Sequence, residues 1–389
     1  MKRMAMHART VSRGALALFG FLVAAASPAQ VQVKVSEDVN FRLGFQIQGW
    51  ADWLSDPVTR GFSRNMFLRR VRLIVAGQVA RNVTFFFQTD DQRLGNAGTG
   101  TTTPTRSLTA GFVVQDAFGE WRIAGEKIML DAGVFYVPQS RNVLTSTSST
   151  LACDGASFVQ QQNAATAGNG GRDVGLALKG YLQEDRLEYR AGVFDGQRAA
   201  ATGTSGSRNA PRFAGRVQYD FLDVEKGYTY VGTNRGSRKI VVVGGWADGQ
   251  GDFLAWGADA AMDLPVAGGA ATAELDYAFF DGGRQFLQTA GGVTTSLLPR
   301  ESTITAQTAC YHAATKLQPF VRYEKLTFSD AALRTRDQRR FGAGINWFVA
   351  ANNLKISGLY ERIEPAVPVA RARVKDMNHF AVQIQIYYF

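Results

Sequence analysis

Arginines recur on one side of several alternating stretches of this 389-residue chain, and carboxylates share that side with them. Arg70 and Arg72 lie two apart, and Arg212 and Arg216 four apart; Arg42, Arg190 and Arg322 stand singly in comparable runs. A guanidinium is charged at any ordinary pH, and its planar fork donates two parallel hydrogen bonds to a carboxylate or phosphate. Rows of guanidinium groups along one face concentrate anions and replace part of their hydration. The same faces carry Asp116, Glu120, Asp131, Glu188, Asp259, Glu274, Asp276 and Glu324. Opposed charge rows also brace a wall and maintain a transverse field without forming any selective site. Both readings stand for most of these arginines. Arg141 lies instead in a stretch, 138–171, that has no strand or helix pattern.

Other chemistry finds little support. The only histidines are His7, His312 and His379, no Gly-x-Ser-x-Gly elbow occurs, and no Cys/His spacing suits a metal. No cofactor, nucleotide site or metal site is implied, and an enzyme is not expected. Cys153 and Cys310 are the only cysteines. An oxidising compartment permits a bridge between them, and the sequence leaves open whether they meet.

The elements that must position the arginines are strands. Alternating segments of about ten residues recur, separated by Gly, Asn, Asp and Ser clusters, as expected for strands tilted across a bilayer. They cover 40–53, 66–79, 83–90, 112–123, 127–137, 172–182, 186–195, 212–221, 238–248, 253–264, 271–280, 302–312, 317–328, 339–350, 354–362 and 377–389. That is sixteen, an even number, as single-chain bacterial barrels have. In the last segment Phe380, Val382, Ile384, Ile386 and Tyr388 form a wholly apolar side, while Gln383 and Gln385 face the other way. Such a face needs a core or lipid to cover it. On alternation alone Arg69 falls on the lipid side, unless it lies at the interface or a bulge shifts the register.

The N-terminus decides for lipid. Lys2, Arg3, Arg9 and Arg13 precede an apolar run, 14–26, and the small residues Ser27-Pro28-Ala29. This reads as a secretory signal, residues 1–29, cleaved after Ala29. The chain carries +10 overall, and the four basic residues of the leader leave the remainder near +6. Nucleic acid is not an expected partner after export. Residues 30–389 are expected to form one domain, an all-β transmembrane antiparallel barrel of about 16 strands in the outer membrane of a Gram-negative bacterium, in contact with its lipid and lipopolysaccharide. Trp121, Trp347, Tyr360 and Tyr388 are candidates for interfacial girdles, with plain strand-face packing as the alternative. Short turns at 80–82, 124–126 and 351–353 suit one end of the barrel. Longer Gly/Ser/Thr-rich loops at 94–110, 197–209 and 282–300 suit the other.

Several motifs go beyond this general pattern. Phe67-Leu68-Arg69-Arg70-Val71-Arg72-Leu73 resembles the Arg-rich second strand of the phosphate-selective porins O and P. Gln115-Asp116-Ala117-Phe118 and Asp131-Ala132-Gly133-Val134-Phe135-Tyr136-Val137-Pro138 are similar to that family's strand pair before its constriction loop, and Arg172-Asp173-Val174-Gly175 to the re-entry from it. Tyr189-Arg190-Ala191-Gly192-Val193-Phe194-Asp195-Gly196, Gly215-Arg216-Val217, Leu317-Gln318-Pro319-Phe320-Val321-Arg322-Tyr323-Glu324 and Gly344-Ile345-Asn346-Trp347-Phe348 match later strands. The likeness runs through most of residues 40–389. It implies a sixteen-stranded porin, a homotrimer, passing phosphate-class anions passively through an Arg-lined lumen. It also implies that the loop at about 138–171, after the fifth strand, constricts that lumen. The pore-lining, anion-binding set is then Arg42, Arg70, Arg72, Arg141, Arg190, Arg212, Arg216 and Arg322. The chain departs from the family at Tyr136, where a Gly-x-Phe-Lys-x-Pro run often carries lysine, and this departure bears on phosphate selectivity. A general, weakly selective porin and a secreted β-rich binding or adhesion protein are the alternative readings.

Overall fold

The computed structural model describes residues 31–96, 108, 111–160, 170–197, 210–290, 292–368, 372 and 374–389. The expected leader, most of the 94–110 and 197–209 loops, and 161–169 lie outside the described residues. After a short β1 (Val31–Lys34) come β2 (Asn40–Ser55), β3 (Phe62–Ala80), β4 (Val83–Leu94), β5 (Val113–Glu126) and β6 (Met129–Tyr136). Beyond a one-turn helix α1 (Arg141–Leu144) follow β7 (Arg172–Leu182), β8 (Leu187–Phe194), β9 (Arg212–Asp220), β10 (Ile240–Gln250), β11 (Phe253–Val266) and β12 (Gly269–Asp281). A small hairpin, β13 (Leu287–Ala290) and β14 (Val293–Ser296), precedes β15 (Glu301–His312), β16 (Leu317–Phe328), β17 (Gln338–Ala350), β18 (Leu354–Pro365) and β19 (Met377–Tyr388).

Leaving aside β1 and the hairpin, sixteen antiparallel strands pair with their neighbours in chain order, and β19 returns to β2 to close the barrel. Every one of the sixteen sequence segments falls on one of these strands. The closing ladder runs from His379↔Leu54 to Tyr388↔Phe45. The extra strand β1 pairs with Asn40 to Leu43 of β2, beyond the end of the β19 ladder.

Alternation is inverted relative to a soluble protein. On β19, Ala381, Gln383 and Gln385 are buried inside, while Phe380, Val382, Ile384 and Ile386 are exposed outside. On β16, Gln318, Arg322 and Glu324 are buried and Val321 is exposed. A closed wall satisfies all its backbone groups within the ladder, so its apolar exterior can face lipid without an open edge. No helix among the described residues is long and apolar enough to cross a membrane. Exposed aromatics gather toward both ends of the wall. Phe62, Phe380, Tyr360 and Phe341 lie toward one, with Tyr360–Phe380 rings 5.0 Å apart; Trp121 and Trp347 lie toward the other. Cys153 is buried inside the barrel and Cys310 is exposed on its outside, and both thiols are free.

Two local irregularities shape the interior. Register shifts between Gln48↔Arg70 and Gly49↔Leu68, which leaves Arg69 as the extra residue of a β-bulge. Arg69 and Arg70 therefore both reach inward, which settles the side on which Arg69 lies. In β6, Gly133 holds φ +133°, and a Cβ there would stand 2.2 Å from the Ala117 carbonyl oxygen.

Gly133→Ala should therefore strain β6 against β5 and cost on the order of 2–3 kcal/mol. Gly119→Ala, whose nearest neighbour is 3.8 Å away, is the control. Heat-induced gel-mobility shifts of the refolded barrel read the difference; equal midpoints for the two variants would contradict the strain.

Candidate functional site

The lumen is not an empty tube. Residues 137–160, which follow the fifth barrel strand β6, fold inward from one end of the barrel. Irregular backbone can be buried only if its polar groups find partners, and here the wall supplies them. Gln48 donates to the carbonyl of Thr147 (3.1 Å) and Gln385 to that of Ser148 (2.9 Å). Lys355, Asn346 and Gln383 do the same for Thr150, Leu151 and Cys153. Arg322 closes the series on the carbonyls of Asp154 (2.7 Å) and Gly155 (3.2 Å). Leu151, Ala152 and Cys153 then pack on Ala309, Phe320, Leu359 and Ala381 of the wall. Burial pushes the Cys153 thiol up to about 12, so it is neutral and inert at physiological pH.

A second segment, 221–239, connects β9 to β10 and enters from the opposite end, among the short turns. The two meet in the lumen. Thr145 and Tyr230 form a parallel bridge, with Ser146 N–H donating to Tyr230 and Tyr230 N–H to Leu144, both at 2.9 Å. Arg141 grips Glu225 with both arms of its fork, at 2.6 and 3.0 Å. Gly232 N–H donates to Ser149 Oγ. The sequence signal that could have exposed this segment is its length among turns of two to four residues, together with the alternating pair Tyr228 and Tyr230.

The eight arginines expected to line the lumen divide into two groups. Five of them brace walls and inward segments. Arg141 holds Glu225, and Arg190 holds Glu188 (2.6 Å) and the carbonyls of Tyr228 and Gly227. Arg212 pairs with Asp248, and Arg216 with both oxygens of Asp259 (2.6 and 2.7 Å). Arg322 ties down Asp154 and Gly155 and stands 3.5 Å from Glu324.

The other three, Arg42, Arg70 and Arg72, line a chain of cavities on the β2–β8 side. A cavity of about 470 Å³ near the short turns is lined by Arg42, Arg122, Lys179, Lys226, Glu120 and Glu126, among others. It shares Arg42, Phe86 and Tyr228 with one of about 230 Å³. That cavity shares Arg72, Tyr136, Thr147 and Arg172 with a third, of about 60 Å³. This third cavity has room for a few waters or one small anion. Around it stand Arg69, Arg70, Arg72 and Arg172, with no carboxylate among the described lining residues.

Two of those four, Arg69 and Arg172, were not in the expected site set. Arg172 donates to Asp116 (2.8 Å) and lies 3.6 Å over the ring of Tyr136. Its place in the Arg172-Asp173-Val174-Gly175 motif was the available signal. Arg72 pairs with Asp90 at 3.0 Å. Arg69 and Arg70 share the single carboxylate of Asp154, at 2.7 and 2.6 Å. One anion against two cations leaves that rim net positive. Burial pushes the Asp154 carboxyl up, but Arg69 and Arg70 outweigh it and hold the group below the usual carboxylate range.

A model of the phosphate-selective porin O and P family matches residues 41–239, just over half of the chain. The chain belongs to this family. No curated protein matches the sequence. Among solved structures, this porin is similar to Salmonella typhi OmpF in complex with daunomycin, at 12% identity and TM-score 0.57, covering 90% of this chain and 98% of that one. It is similar to the outer membrane channel DcaP of Acinetobacter baumannii (11%, TM-score 0.56, 92% and 99%) and to in-vitro folded Vibrio cholerae OmpT in its trimer form (10%, TM-score 0.54, 90% and 100%). At these identities the likeness concerns the barrel fold.

The Asp154 clamp generates a prediction. Its folded-state value is depressed, so its contribution is present above the unfolded value and is lost only as pH falls through the lower, folded one. The clamp should thus hold in the wild-type porin from neutral pH down to about pH 4. Asp154→Asn removes the negative charge at all pH values and should raise anion-over-cation permeability roughly twofold. Reversal potentials in planar bilayers at pH 7 and pH 4 check both statements. A fall in anion preference in the variant would contradict the assignment.

Proposed function

We propose that this porin is a passive, anion-preferring diffusion channel for small hydrophilic solutes of the phosphate class. The observation that carries the reading is the cavity of about 60 Å³, where four guanidinium groups and no described carboxylate face the space. An anion there trades hydration for charge-assisted hydrogen bonds, and a cation gains nothing. Arg42, Arg69, Arg70, Arg72 and Arg172 carry the solute path. Arg141, Arg190, Arg212, Arg216 and Arg322 set the shape of the lumen. In this reading the segment after the fifth barrel strand acts as the constriction, and no covalent chemistry takes place. The outer membrane is its site, and export by a cleaved leader, residues 1–29, fits that placement. A homotrimer follows the family resemblance, and the similar OmpT structure is described as a trimer form.

One observation favours a general, weakly selective pore instead. Each guanidinium in the two groups except Arg42 already has a carboxylate within 3.5 Å. The shared Asp154 tips the balance toward anions, because two cations there answer to one anion.

Planar-bilayer recordings of the refolded mature chain under a KCl gradient separate the two. The wild type should reverse on the chloride side, and phosphate should reduce the current. Arg69→Ala and Arg70→Ala should each lower the chloride-over-potassium permeability ratio, roughly threefold. A wild type without preference would establish the general pore.

A further inference from the structure

The same path is lined by aromatic rings as well as arginines. Phe389 turns in beyond the end of β19, edge-on to Phe86 with centroids 6.0 Å apart, and Arg42 lies 4.3 Å over its ring. Phe86 packs on Tyr228 at 5.4 Å, and Tyr228 on Tyr136 at 5.5 Å. Arg172 covers the Tyr136 ring at 3.6 Å. The aromatic line thus runs from Phe389 through Phe86 and Tyr228 to Tyr136, along the middle cavity and up to the narrow one. Tyr136 stands at the narrow end of this line. Phe86, Tyr228 and Phe389 are all partly exposed within the lumen, so their rings meet whatever occupies it.

A hydrated inorganic anion has no use for this surface. Ring faces carry negative quadrupole density and repel an anion, and rings cannot replace its water. An anion with a flat apolar body uses both parts of the path. The body lies against the rings, removing apolar surface from water, while the carboxylate meets Arg42, Arg72 or Arg172 in turn. We propose that the two wider cavities of this path also bind organic anions with a planar, aromatic body, of the arylcarboxylate class, in preference to small aliphatic carboxylates. The inference rests on the anion-preferring reading above and adds a second class of anion to its solutes.

The test uses the full mature chain in planar bilayers with KCl, titrating benzoate, acetate and inorganic phosphate separately. Benzoate should halve the conductance at a concentration roughly tenfold below acetate, with phosphate as the reference for the anion-preferring reading. Phe86→Leu and Phe389→Leu should each bring benzoate to within about twofold of acetate. The reversal potential is read in the same bilayers. Anion selectivity with benzoate no better than acetate overturns the inference and leaves the anion channel standing. Absence of anion selectivity overturns both. Should one variant fail to form channels, the other and the wild-type series still decide.

Discussion

A guanidinium turned inward from a closed barrel wall needs an acceptor, and the rest of this structure follows from which acceptor it finds. Inside the lumen the alternatives are a neighbouring carboxylate, a backbone carbonyl or a solute. Removing one partner from such a buried pair typically costs 3–5 kcal/mol, so charges here are arranged in matched sets. Arg216 with Asp259, Arg212 with Asp248 and Arg190 with Glu188 form the sets on one side, and they hold up the inward segments. On the other side the matching is incomplete at Asp154, which faces two guanidinium groups alone. The net positive charge at that rim is thus what remains after the wall has neutralised itself.

The wall was legible in the sequence because a strand that is lipid-covered outside and polar inside writes a period of two into every segment. Each of the sixteen segments reported its own position independently, and only their ends moved by a few residues. Arg69 shows where this legibility stops. A bulge inserts one residue without a compositional mark, and a single added residue sends the side chain to the other face. Sequence reasoning could state that the bulge was one of the options for Arg69 and had no means to choose it.

The contents of the lumen were less legible for a different reason. Wall-to-wall contacts are local in sequence, but the contacts of an inward segment are not. Arg141 meets Glu225, and Gln383 meets Cys153, at separations that no local pattern encodes. Face assignment placed all eight expected arginines on the lumen or its loop and could not divide them into those that brace the inward segments and those that line cavities. That division depends on which side of the lumen the two inward segments occupy. The segment 221–239 was readable only as an over-long connection. Its length was visible, and its direction of folding was not.

The meeting of those two segments has a mechanical consequence. One is rooted at the long-loop rim and the other at the short-turn rim, and the Thr145–Tyr230 bridge joins them inside. Arg141 and Glu225 reinforce the joint with a forked ion pair. A strap therefore runs from rim to rim through the bore, bonded to the wall along its course. The two mouths of the barrel are therefore joined by a strap inside the bore as well as by the cylinder around it.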